Sequence, residues 1–228
     1  MIATDTKQRI LDVAEEMFAD QGVAGTSLRS IIAAAEVNLA AVHYHFRSKE
    51  SLLEAVIIRR LEPLNRERLD LLGEYERRAG KSGPAVEEVL HAFVMPAVRL
   101  IHNSAEGCLF GKLLGRLHWE SRSSFAGIAR KHFGPLFERF EKALHRALPG
   151  LPAEELFWRM HFTVGAMAHT LTSSDTLEVM SGGLCKSSDA ETAIPQLIDF
   201  LAAGFRAPAA RRISKPGHKR SNHSEKRS

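Results

Sequence analysis

The sequence predicts an all-α protein of about nine helices. Apolar residues recur at spacings of three and four, and no β-branched alternation is sustained between Asn-Gly type turns. A composition of 44% hydrophobic and 25% charged residues over 228 positions supports a sizeable buried core. Ile10, Val13, Ala14, Met17 and Phe18 form the first helical stripe, which stops at Gly22. Val86, Val89, Leu90, Phe93 and Val94 form another, entered through Gly83-Pro84, with proline where a first turn tolerates it. Leu136, Phe137, Phe140, Leu144 and Leu148 follow, ending at Pro149-Gly150. Phe157, Met160, His161, Val164, Ala168 and Leu171 make the next stripe, and Ile194, Leu197, Ile198, Leu201 and Phe205 close the folded part. Pro63, Pro96 and Gly134-Pro135 are expected to interrupt the longer helices.

Residues 26–50 carry the most information. Thr26 and Ser27 offer oxygens to cap a helix from Leu28 to about Ala35, with Leu28, Ile31 and Ile32 facing inward. A turn at Glu36-Val37 follows, and Asn38 caps a second helix through about Tyr44. Val37, Val42 and Phe46 are expected to bury against the first helix, leaving Leu39, Ala40, Ala41, His43 and Tyr44 outward. Ser48 caps the next helix, with Lys49 and Glu50 in its first turn. Two short helices around a tight turn, the second small enough at its start to approach a groove floor, is helix-turn-helix geometry.

The overall charge of +4 is unevenly placed. Residues 206–228 hold eight Lys/Arg against Glu225, a local +7, which leaves −3 for residues 1–205. That segment has almost no large apolar residue and is expected to be a basic disordered tail. Cys108 and Cys185 form no disulfide framework, no signal peptide opens the chain, and no apolar run is long enough for a membrane span. The expectation is a cytoplasmic protein with no membrane partner.

Residues 7–56 resemble the TetR family of one-component transcriptional regulators. The run His43-Tyr44-His45-Phe46-Arg47-Ser48-Lys49-Glu50-Ser51-Leu52 reproduces the family pattern of a Tyr/His-rich stretch, Phe, then Ser-Lys-Glu-x-Leu. One departure stands out: Glu36 occupies the turn position where the family usually has glycine. A left-handed backbone there costs a non-glycine residue about 1 kcal/mol or more. The resemblance implies three regions: a three-helix DNA-binding head (1–50), a helical effector-binding and dimerisation bundle (51–205) and the tail (206–228). It implies a recognition helix over about Asn38–Tyr44, with Arg29, Tyr44 and Lys49 at phosphates and backbone N–H from Thr26 or Ser27. Base reading falls to Leu39, Ala40, Ala41 and His43, the apolar ones suiting thymine methyls. It also implies a homodimer on a palindromic double-stranded DNA operator, through helices at about 154–173 and 192–205.

A second stretch, Leu151-Pro152-Ala153-Glu154-Glu155-Leu156-Phe157-Trp158-Arg159-Met160-His161-Phe162 with Gly165-Ala166, resembles a subgroup that includes fatty-acid-responsive repressors. The implied effector is a small apolar or acyl molecule, a fatty acid or acyl-CoA. Candidate residues for its site are Trp119, Phe125, Trp158, Phe162 and Met167 for an apolar cavity. Arg99, Arg116, Arg122, Arg159, His102, His161 and His169 are candidates for its polar end. The expected function is a ligand-responsive repressor that needs no cofactor. His43 and His45 lie about 200° apart on a helix, which argues against a shared metal ion. No HExxH, nucleophile motif or phosphate loop points to an all-α enzyme. The remaining alternative is a sequence-independent DNA-packaging protein, suggested by the tail; a regulator is distinguished from it by preferring its site over other duplexes by orders of magnitude.

Overall fold

The computed structural model describes residues 2–120, 122–172, 174–185 and 190–209. Among these there are ten α-helices and no strand. The first three are α1 (Ile2–Gly25) and the two short helices α2 (Leu28–Ala34) and α3 (Leu39–Phe46). A long α4 (Lys49–Ala79) leaves the head, and a single 3-10 turn at Gly80–Ser82 leads to α5 (Val86–Asn103). Then come α6 (Ala105–Glu120), α7 (Arg122–Ala147), α8 (Ala153–Thr172), α9 (Ser174–Met180) and α10 (Ala190–Arg206). The expected stop at Gly22 is present as a kink inside α1, where the glycine takes φ 76°, ψ 164°.

Two apolar cores hold these helices. One joins Ile10, Phe18, Ile31, Val42 and Phe46 of the head to Leu52, Leu53, Val56 and Ile57 of α4, and reaches Leu113 and Leu117 of α6. The other packs Leu72 of α4 with Val89, Leu90 and Phe93 of α5, Phe140 and Leu144 of α7, Leu156 and Met160 of α8, and Leu201 and Phe205 of α10. Each fully buried large apolar side chain contributes roughly 1.5–3 kcal/mol. Helix α4 enters both cores and therefore ties them together.

The prolines do not interrupt the helices. Pro63, Pro96, Pro135 and also Pro195 lie inside α4, α5, α7 and α10, which run on through them. Proline removes one backbone donor and crowds the carbonyl four residues earlier. Here the apolar contacts on both sides of each proline outweigh that local cost. Near Pro63 a kink or break is expected; the break is absent, and α4 is one helix of 31 residues. Arg206, counted with the tail, is the last residue of α10 and pairs with Glu87 of α5. The rest of the +7 segment, from residue 210, lies outside the described residues.

The turn from α5 to α6 depends on Gly107. A Cβ there would sit 1.7 Å from the Leu100 carbonyl oxygen, so no larger residue fits without moving one helix. Ser104 completes the turn, its Oγ accepting the Gly107 N–H at 2.9 Å.

Ion pairs stitch the bundle at its surface. Glu76 of α4 accepts from Arg139 of α7, at 2.8 Å for Nη1, and these bonds hold its carboxyl below the usual carboxylate range. Glu54, bonded to His132 and Lys131, and Glu87, bonded to Arg206, are lowered in the same direction. A depressed carboxyl contributes stability that is fully present above its unfolded value of 4.5 and is lost as pH falls through its lower folded value. The melting temperature is therefore expected to drop on acidification below about pH 4.5, and Glu76→Gln is expected to flatten that decline. Thermal melts of both proteins across this range check it; parallel curves would assign the acid sensitivity elsewhere.

Candidate functional site

The second helix of the head ends in a manner its sequence does not favour. Helix α2 starts at Ser27, whose Oγ accepts the Ser30 N–H at 3.0 Å while Ser30 Oγ accepts the Ser27 N–H at 3.1 Å. It ends with Glu36 at φ 52°, the left-handed conformation expected at the glycine position. The Val37 N–H reaches the Ile32 carbonyl and the Glu36 N–H reaches the Ala33 carbonyl, the paired bonds of a Schellman ending. Val37 and Ile32 both pack on the head core, which offsets the strain at Glu36.

Helix α3 is then aimed by its own cap and its buried side. Asn38 Oδ1 accepts the Ala41 N–H at 2.8 Å. Val42 and Phe46 are 1% and 3% exposed, whereas Leu39 is 54% and Tyr44 82% exposed. Ala40 and His43 are also exposed, and Ala41 is half-buried. At 100° per residue, Leu39, Ala40, His43 and Tyr44 fall within an arc of about 140°. An outward arc of this kind, apolar at its start and able to donate and accept hydrogen bonds at its end, suits a DNA major groove. Arg29 and Asn38 are exposed beside it. Arg47, not among the expected contacts, is an exposed cation at the C-terminal end of α3 with φ 61°. Its signal was its place immediately after Phe46.

Two expected contact residues have internal roles. Thr26 is buried, and its hydroxyl donates to the Gly22 carbonyl at 2.8 Å and the Met17 carbonyl at 3.2 Å. It closes the kink in α1 and does not cap α2, which Ser27 does alone. The Lys49 ammonium donates to the Val23 carbonyl at 2.9 Å and the Thr26 carbonyl at 3.0 Å, so it caps the end of α1. An ammonium has three N–H donors, and these two bonds use two of them.

The expected effector residues do not converge on one cavity. Trp158 and Phe162 are 54% and 59% exposed and stack on each other with ring centroids 5.7 Å apart. His161 and His169 are exposed along the same side of α8. Four of the candidates thus form an outer face, joined by Phe157 and, on α10, by the exposed Phe200. Arg159 is buried and holds the end of α10, donating to the carbonyls of Phe205 at 2.6 Å, Ala207 at 2.9 Å and Pro208 at 3.1 Å. It is therefore not available to a ligand. Arg116 reaches the Asp20 carbonyl of α1 at 2.9 Å. Arg99 lines an open groove of about 370 Å³ between α4 and α5, with Pro63, Arg66, Asp70 and Met95. His102 is half-buried, and its Nε2 has no hydrogen-bond partner among the described residues. The side chains of Trp119, Arg122 and Phe125 lie outside the described residues.

What does lie within the C-terminal core is a small apolar cavity of about 10 Å³, lined among others by Leu90, Phe93, Phe137, Phe140 and Met160. That is room for at most one water. Among the described residues no three His, Cys, Asp or Glu side chains gather as a metal site, and no helix is long and apolar enough to cross a membrane. Both cysteines are exposed and free.

Comparison with known proteins bears on both halves of the chain. Residues 91–204, half of its length, match the family described as "Tetracyclin repressor-like, C-terminal domain", and residues 10–56 match "Bacterial regulatory proteins, tetR family". The HTH-type transcriptional regulator SrpR of Pseudomonas putida is 44% identical over 62 residues, which is 27% of this chain and 29% of that protein. The HTH-type transcriptional repressor KstR2 of Mycolicibacterium smegmatis is 27% identical over 105 residues, 46% of this chain and 47% of the relative. The matched stretch therefore spans less than half the length of these curated relatives. Among solved structures, the fatty acid degradation regulator FadR from Bacillus halodurans superposes with a TM-score of 0.61 at 14% identity, covering 89% of this chain and 97% of that one. FadR from Bacillus subtilis, in complex with stearoyl-CoA, gives 0.59 at 14% identity, covering 86% and 98%. At such identities the likeness is one of fold.

Proposed function

Because the chain belongs to the TetR family of transcriptional regulators, we propose that it is a homodimeric repressor that leaves a palindromic operator when a small apolar or acyl effector binds. The observation that carries this reading is the outward arc of α3, with Val42 and Phe46 buried behind Leu39, Ala40, His43 and Tyr44. The head occupies residues 1–50 and the effector and dimerisation unit follows from 51, although the core of the head also takes in residues of α4 and α6. Helices α8 and α10 supply the dimer face: Phe157, Trp158, Phe162 and Phe200 are all more than half exposed and unsuited to water. A two-fold axis through that face sets two α3 helices about 34 Å apart, one turn of the double helix.

Contacts between α1 and α6 give the effector unit a hold on the head. Lys112 of α6 pairs with Asp20 of α1 at 2.6 Å, and Arg116 reaches the carbonyl of the same residue. A displacement of α6 is therefore felt by α1, and an effector needs a differential affinity of only about 1–3 kcal/mol to shift the balance of two conformers. The comparison with FadR in complex with stearoyl-CoA supports an acyl effector by analogy of fold.

Footprinting genomic DNA bound to the purified full chain tests the reading. A few strongly preferred palindromic sites are expected, and equal binding to all duplexes would overturn it. On the preferred site, His43→Ala is expected to change which base is favoured, by roughly 1–3 kcal/mol of discrimination. Tyr44→Phe is expected to weaken binding to every sequence alike. Competition assays with single-base operator variants separate the two effects; unaltered binding by both proteins would remove α3 from the interface.

A further inference from the structure

Arg68 is a cation in the C-terminal core with no ion-pair partner among the described residues. It projects from α4, is 2% exposed, and donates from Nε to the Phe93 carbonyl at 2.8 Å and from Nη1 to Asn65 Oδ1 at 3.3 Å. The neighbour of Nη2 is the Met167 thioether at 3.8 Å, a weak acceptor. None of these partners carries a charge. Glu67, which acts on it electrostatically from the same helix, is itself exposed. Arg159, also buried, pairs with Glu155 at 3.2 Å besides its three carbonyls. Burial draws the Arg68 guanidinium down to about 9, which leaves it cationic at pH 7. An uncompensated buried charge is among the costliest features a core can hold, and an apolar side chain of similar size would pack there without that cost.

What lies beside the guanidinium gives it a use. Its central carbon sits 4.3 Å from the centre of the Phe93 ring. The same ring lines the small apolar cavity, with the Phe137 and Phe140 rings edge-on at 5.9 and 5.2 Å. Phe93 is therefore a shared wall between an apolar void and an unpaired cation. The flexible Met167 side chain is the other neighbour of the guanidinium and the one most able to give way.

We propose that Arg68 anchors the carboxylate of a small amphiphilic effector, whose apolar body enters and widens the cavity behind Phe93. The proposal rests on the ligand-responsive reading above and names the ligand's chemistry. A planar guanidinium with free Nη donors matches a carboxylate in a two-bond grip. One buried cation neutralises one anionic charge, so a free monocarboxylate fits, whereas the phosphates of a CoA thioester bring more charge than the site can balance.

The test uses the full-length, DNA-free protein and displacement of a fluorescent fatty acid by dodecanoate, methyl dodecanoate and dodecanoyl-CoA. Wild type is expected to bind dodecanoate at least about tenfold more tightly than the ester or the thioester, the scale of one charge-assisted contact. Arg68→Met is expected to lose that preference, with ester affinity within about twofold of wild type, and Arg68→Lys to keep part of it. Should Arg68→Met fail to fold by circular dichroism, the ranking of the three probes on wild type and on Arg68→Lys decides. Equal binding of acid and ester, preference for the thioester, no binding of any probe by wild type, or an acid preference that survives Arg68→Met overturns the assignment. Operator binding without any probe is measured in parallel. A protein that selects its operator but ignores Arg68 keeps the repressor reading and loses this one.

Discussion

Phe18→Ala is expected to abolish operator binding while leaving the C-terminal bundle helical and dimeric. Phe18 is 0% exposed and packs in the core that holds α1, α2 and α3 on the first half of α4. Emptying a site of that size costs about 3–5 kcal/mol. The loss falls on the core that seats α3, so the outward arc of α3 loses its support first. The second core, around Phe93 and Phe140, contains neither Phe18 nor any other residue of α1–α3. Calorimetry is therefore expected to resolve a low-temperature transition for the head and an unchanged one for the bundle. A single transition that moves as a whole would show that α4 and α6 bind the two cores into one cooperative unit.

Glu15→Gln is expected to destabilise the protein by about 3 kcal/mol, because it strands two arginines against a neutral amide. The Glu15 carboxylate is 1% exposed and accepts from Arg59 Nη2 and from Arg60 Nε and Nη2, the latter two at 3.2 Å. Arg59 extends the cluster to Asp12 at 2.5 Å, and its Nε is buried with no partner among the described residues. These groups are the polar joint between α1 and α4. Urea unfolding measures the loss, and amide exchange in α1 shows where it falls. An unchanged midpoint, with α1 protected as before, would reduce the cluster to an ordinary surface network.

The head was largely legible because its signals are local. Ser27, Asn38 and Ser48 cap helices that begin one residue later, and the spacing of Val42 and Phe46 already separated the buried side of α3 from the outward one. Glu36 was readable as a left-handed residue from its place in the turn. The role of Lys49 was not, since its partner Val23 lies 26 residues away and becomes a neighbour only when α1 and α4 pack, and that of Thr26 depends on the kink at Gly22. In the bundle, helical spacing identifies an apolar stripe without saying whether it meets the chain's own core. Met160 turned inward, whereas Trp158 and Phe162 stayed outside. Arg68 gave no signal at all: within Asn65-Arg66-Glu67-Arg68 it reads as part of a solvated polar turn. Prolines misled for the opposite reason, their local cost being visible and the packing that overrides it not.

The unbroken α4 acts as a rod. Thirty-one residues at 1.5 Å each make it about 46 Å long, with Leu52 and Val56 fixed in the head core near one end and Leu72 fixed in the other core near its far end. A pivot that tilts such a rod by about 5° carries its tip roughly 4 Å sideways, close to the 3.4 Å that separates successive base pairs along DNA. Had Pro63 broken the helix, that angle would have dissipated at the joint. An unbroken helix would carry such a tilt undiminished from the bundle to the end that bears α3.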